Sequence, residues 1–146
     1  MASKTRGFEF AYNLDGTNNG PTIRDLPVSA NTLRPGDLVV LTSGQLAACA
    51  ANVAEVTGVM YESAAGAQAG DLRKCAIIQP GQVWRCSSDA SSQAGNLGVS
   101  TINIVDANTI DATPATGGSL ILVAKGDLDS DGNQITYVSF SNVTFA

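Results

Sequence analysis

Histidine is absent from this chain of 146 residues, and with it the side chain that most often serves as a catalytic base or zinc ligand near neutral pH. Charge is scarce. Asp, Glu, Lys and Arg make up 14%, against about 25% in an ordinary soluble domain. Hydrophobic residues make up 44% of the chain but aromatic ones only 5%, so a core must be built mainly from Val, Ile, Leu and Ala. No apolar stretch is long enough to cross a bilayer as a helix, and no membrane partner is expected. The start, MASKTRGFEF, has no apolar leader segment, so synthesis in the cytoplasm is expected. The three cysteines, Cys49, Cys75 and Cys86, form no CxxC pattern. Each lies in an apolar run (LAACA, KCAII, VWRC) where a free thiol acts as a small buried hydrophobe.

The missing groups also exclude chemistry. Without histidine the common partner of a nucleophilic Ser is lacking, and there is no GxSxG elbow or SxxK pair. No GxGxxG or GxxxxGK[ST] phosphate cradle occurs. The glutamates are Glu9, Glu55 and Glu62, and nothing marks a cleft between them. The expectation is no enzyme and no cofactor. Net charge is −5, with 8 basic residues against 13 acidic. No basic stripe offers itself to phosphates, so nucleic acid is not expected as a partner. One cation motif remains, Asp127, Asp129 and Asp131 before Gly132, which alternates carboxylates as a calcium loop does. The twelfth position is Val138 and not a bidentate Glu, so an acidic turn is expected and no metal.

What the chain does contain is short β-type runs between turns. LRPGDLVVL, TGVMYES and AGDLRKCAIIQPGQVWRC lie within residues 33–86. Residues 37–42 and 45–49 read as a hairpin around Ser43-Gly44, and residues 56–62 as a strand. Residues 72–79 and 82–86 read as hairpin partners across Pro80-Gly81. Further on, residues 99–105 alternate, residues 119–124 are the most apolar run, and residues 134–140 pair with it. Gly-Asp recurs at 36–37, 70–71 and 126–127, where an Asp can accept backbone N–H groups and orient the next strand. Short strands at this spacing without a long helix indicate an all-β barrel or sandwich. Trp84 is expected to anchor a core or an interface.

Residues 1–33 differ. AYNLDGTNNGPTIRDLP is dense in turn formers, and four of the cations (Lys4, Arg6, Arg24, Arg34) fall by position 34. Phe8, Phe10 and Tyr12 alternate, which puts three rings on one side of an extended segment. Two readings follow: a first strand on its own core, or an arm that adds its edge to a neighbour. The arm is preferred, giving an N-terminal arm over 1–33 and a β-barrel domain over 34–146.

The run over residues 34–86 resembles the head-decoration, or cement, proteins of tailed bacteriophages. The resemblance rests on the Gly-Asp opening of LVVL, the central Thr57-Gly58-Val59-Met60, the Gly70-Asp71 turn, and Ile77-Ile78-Gln79-Pro80-Gly81-Gln82-Val83; SLILVAKGD and ITYVSF are in keeping. It implies a small β-barrel or β-tulip-like domain that trimerises and cements the outside of a capsid at junctions between major capsid subunits. The partners would be the major capsid protein and two further copies of the chain, on the virion exterior. Arg6, Phe8, Phe10, Tyr12, Arg24 and Arg34 are the expected capsid or subunit contacts. The alternatives are another phage part, such as a tail or head fibre, and a carbohydrate-binding or adhesin β-sandwich. The last would be favoured by Trp84 and the tyrosines exposed in one row.

Overall fold

The computed structural model describes residues 7–51, 53–88, 103–111, 120–128 and 134–145. Within them the chain is all-β, with no helix. One antiparallel sheet holds, in spatial order, β1 (Glu9–Asn13), β7 (Gln82–Ser87), β11 (Gln134–Phe140) and β10 (Leu120–Leu128). The second holds β2 (Ile23–Pro27), β6 (Leu72–Ile77), β5 (Gly58–Met60), β3 (Leu38–Thr42) and β4 (Gln45–Ala48). A hairpin of β8 (Asn103–Asp106) and β9 (Thr109–Asp111) forms a separate two-stranded ladder, but it buries Ile104 and Ile110 in the shared core, and Ile110 bridges Ser88. Closure into a barrel would need a hydrogen-bonded neighbour on both sides of every strand. Among the described residues both sheets are open, with β1 and β10 ending one and β2 and β4 the other.

The sheets share one core. Phe8, Trp84, Cys86, Val138 and Phe140 from the four-stranded side meet Leu38, Val59, Ala76 and Ile78 from the five-stranded side. The five-stranded sheet is apolar on its other face too, because strict alternation sends Val39, Met60, Cys75 and Ile77 outward into a second cluster. Among the described residues no second sheet covers that face. The connecting segments do, with Val28, Leu33, Ala64 and Ala67.

Those connections are fixed by one repeated device. Residues 34–37 and 68–71 are tight turns with positive φ at Gly36 and Gly70, as a type II turn requires at its third position. In each, the Asp side chain reaches back to the first N–H: Asp37 Oδ2 accepts from Arg34 at 2.8 Å and Asp71 Oδ2 from Gln68 at 2.9 Å. Residues 79–82 repeat it with glutamine, since Gln82 Oε1 accepts the Gln79 N–H at 2.9 Å and Gly81 has φ +88°. The third Gly-Asp pair, at 126–127, is different: it lies inside β10.

The hairpin of β3 and β4 around Ser43-Gly44 is as expected, with Thr42 opposite Gln45 and positive φ at both turn residues. So is the pairing of β10 with β11. The pairing expected across Pro80-Gly81 is not formed. β6 lies in the five-stranded sheet and β7 in the four-stranded one, so the turn at 79–82 is a corner between layers. Pairing would have kept Ile78 and Trp84 in one layer; instead they meet across the core.

The boundary at residue 33 also needs correction. Residues 9–13 form a sheet strand against β7, residues 23–27 pair with β6 over five consecutive positions, and Phe8 is buried against Phe140 with ring centroids 5.8 Å apart. The polar stretch orders itself through side-chain bonds to its own backbone. Asn13 Nδ2 donates to the Thr17 and Asn19 carbonyls at 3.1 and 2.7 Å. Asp15 Oδ1 accepts the Thr17 N–H and hydroxyl at 2.9 and 2.8 Å, and these bonds hold its carboxyl below the ordinary 3.8. Such bonds replace apolar burial as the source of order. Gly7 (φ +76°) lets the backbone run against Gly36, whose carbonyl accepts the Phe8 N–H at 2.8 Å.

Nor do the three rings share a side. β1 carries a bulge between Phe10, opposite Trp84, and Tyr12, opposite Val83. The extra residue flips everything after it to the other face. Phe10 packs edge-on to Trp84 at 5.6 Å in the core, while Tyr12 lands outside.

Three outcomes test this account. Phe8→Ala should cost about 3–5 kcal/mol, and deletion of residues 2–30 should leave a chain that does not fold, both read by chemical denaturation and circular dichroism; a folded, cooperative truncation would restore the arm. Gly58→Ala should be destabilised by about 1–3 kcal/mol or more, because an added Cβ meets the Ala76 carbonyl and lies 2.6 Å from Cys75 Sγ.

Candidate interaction site

Four strands end the two sheets, and they are not equivalent. β1 is bulged at Ala11. β10 carries two register shifts. β4 is covered by Val28 and Ser29, whose N–H and hydroxyl both donate to the Leu46 carbonyl, at 2.9 and 2.7 Å. β2 has a regular register from Ile23–Ala76 to Pro27–Leu72 and, among the described residues, no strand on its outer side. A flat, uncovered edge presents a row of backbone donors and acceptors, which natural sheets usually bulge, charge or cover.

Apolar recesses flank that edge on both sides. At the mouth between the sheets a recess of about 480 Å³ is lined by Phe8, Phe10, Ile23, Val59, Tyr61 and Trp84, among others. Trp84 is buried as expected, and its indole N–H has no acceptor among the described residues. On the outer face a recess of about 290 Å³ is lined by Thr22, Arg24, Leu26, Ile77, Gln79 and Phe145. Here the loops that cover the five-stranded sheet stop short.

Phe145 is placed by a latch that the sequence reading missed. Val143 bridges Val56 in parallel, and the Thr144 N–H donates to the Val56 carbonyl at 2.9 Å. The Thr144 and Thr57 hydroxyls bond at 2.8 Å, and Asn142 Nδ2 donates to the Ala54 carbonyl at 2.7 Å. The alternation Val143-Thr-Phe145 was the available signal.

The expected contact residues do not converge. Arg6 lies outside the described residues. Phe8 is core, Phe10 half-buried, and Tyr12 on the outer face of the four-stranded sheet. Arg24 is on the opposite outer face, exposed beside Phe145. Arg34 is exposed and donates to the Asn31 and Leu33 carbonyls, both at 3.1 Å. Of the acidic triplet, Asp127 is a residue of β10, while Asp129 and Asp131 lie outside the described residues. Among the described residues no cluster of three His, Cys, Asp or Glu side chains could hold a metal ion.

All three cysteines are free and buried. Burial pushes the Cys49 and Cys75 thiols from 9.0 up to about 12. No family model, curated protein or solved structure matches the chain.

The raised thiols give a pH prediction. A folded pKa above the unfolded one means that the unfolded chain releases protons first as pH rises. The contribution of both thiols is therefore complete below pH 9.0 and is lost between there and about 12. Urea midpoints should fall over that window, and less so in Cys49→Ala/Cys75→Ala. In the native protein at pH 8 both thiols should resist iodoacetamide and react only on unfolding.

Proposed function

We propose that this protein is a non-enzymatic decoration protein that docks on the outside of a tailed-phage capsid, at junctions between major capsid subunits, as a homotrimer. The observation that carries the reading is the open edge of β2 with an apolar recess on each side. An extended segment of a shell subunit added to that edge would bond to the free backbone groups. Its alternate side chains would point into the two recesses, because successive residues of a strand face opposite ways. Arg24, at the rim of the outer recess, would meet a carboxylate there. Ile23 and Phe145, exposed at 37% and 42%, would lose that exposure on docking. The low charged fraction supports an assembly in the same way, since surface hidden between copies needs no charge to solvate it. The resemblance of residues 34–86 to cement proteins supplies the kind of shell and the trimer.

Ile23→Lys and Phe145→Ala should each weaken binding to phage heads at least about tenfold, which is 1.4 kcal/mol, in a head-pelleting assay, with melting temperatures close to the parent. Sedimentation at micromolar concentration should show a trimer. A monomer that pellets with no head, or edge variants that bind like the parent, would overturn the proposal.

A further inference from the structure

The bulge in β1 has a product on the far side of the molecule. By alternation Trp84 and Cys86 face the core, so Val83 and Arg85 lie on the other face of the sheet, where Val83 is fully buried and Arg85 partly exposed. Glu9 and Tyr137 both stand opposite Arg85, and Tyr12 opposite Val83. The Tyr12 and Tyr137 rings converge above β7 with centroids 6.3 Å apart and planes tilted by 35°. Beside them Arg85 Nη2 donates to Glu9 Oε2 at 2.8 Å. Arg85 Nε is buried without an acceptor among the described residues. Glu9, Phe10, Ala11, Tyr12, Arg85 and Tyr137 bound a recess of about 430 Å³, inside the range of about 300–1,000 Å³ for small-ligand clefts.

We infer that this face is a binding site for a neutral oligosaccharide. A pyranose ring offers an apolar C–H face and a rim of hydroxyls that both donate and accept. Two tilted, half-open tyrosine rings suit the first. A carboxylate acceptor, guanidinium donors and two phenol hydroxyls suit the second. The ion pair selects against charge. An anion would have to displace Glu9 from Arg85, and a cation Arg85 from Glu9, while a hydroxyl can bond to both without separating them. The irregular strand supports the assignment. In regular register Tyr12 would follow Phe10 into the core; the extra Ala11 disrupts the ladder and delivers a second ring beside Tyr137. This site lies on the outer face of the four-stranded sheet, whereas the recess at Arg24 and Phe145 lies on that of the five-stranded sheet, so it is independent of docking through β2. Trp84 takes no part, being core.

The test is titration of the full chain with cellohexaose, maltohexaose and mannohexaose, following the ring resonances of Tyr12, Tyr61 and Tyr137 by NMR, with heparin hexasaccharide as the charged control. At least one neutral hexasaccharide should shift Tyr12 and Tyr137 together and saturably, leaving Tyr61 unmoved, with a dissociation constant of about 0.1–10 mM, as suits a shallow site. Tyr137→Ala should weaken binding at least about tenfold, while Tyr137→Phe, which keeps the ring, stays within about threefold; both should pellet with heads as the parent does. Absence of a shift with all three sugars, or a response to heparin alone, overturns the inference. So do ring shifts that follow protein concentration without sugar, which would make the face a contact between copies.

Discussion

A five-stranded sheet that is apolar on both faces must be covered twice, and this requirement organises the molecule. One face is met by the four-stranded sheet, through Phe8, Trp84 and Phe140. Among the described residues the other has only connecting segments, and a loop covers apolar surface only if its backbone is held in place. The turns at 34–37 and 68–71 hold it, each closed by an aspartate that bonds back to the start of the turn. They seat Leu33 and Ala67 on the sheet. The cover ends before β2, and the surface left between Leu26, Ile77 and Phe145 is the outer recess. The candidate docking site is therefore what remains when loops substitute for a third layer.

The second organising feature is the slip of one residue in β1. Because side chains alternate with a period of two, a single extra residue reassigns every later side chain to the other face. Before the bulge, Phe10 closes the core beside Trp84; after it, Tyr12 stands outside. The same strand thus serves the shared core and the outer face at once. β10 does likewise on the far edge, with its shift between Leu122 and Ala124 opposite Val138 and Tyr137. The two bulges flank the central pair β7 and β11.

Much of this was legible in the chain. Ser43-Gly44 marked its hairpin, Gly-Asp marked two real turns, and the apolar runs at 119–124 and 134–140 marked paired strands. Alternation gives the face of a residue but not the sheet to which its strand belongs, so the passage from Ile78 to Trp84 read as a hairpin and is a corner. Composition misled at residues 13–20 for a different reason. Asn, Asp, Thr and Gly were counted as residues that cannot order a chain by burial, which is correct, yet Asn13 and Asp15 order it by bonding to their own backbone. A bulge has no composition at all. Ala11 is an unremarkable residue, and only the requirement that Phe10 meet Trp84 and Tyr12 meet Val83 reveals it.

Edge strands are where a β protein must choose between solubility and association. Here β1 and β10 are twisted by bulges and β4 is capped by Ser29. β2 keeps a regular ladder, and its safeguards are modest: the neighbouring charges of Arg24 and Asp25, the latter paired with Lys74 at 3.2 Å, and Pro27 at its end. A chain that has blunted three edges and left the fourth regular, with apolar recesses on both sides, has an obvious place for a partner strand. A partner able to use it must supply an extended segment with apolar residues at alternate positions and, near Arg24, an acid. That requirement is stated by backbone geometry and two recesses, and it holds whichever shell supplies the strand.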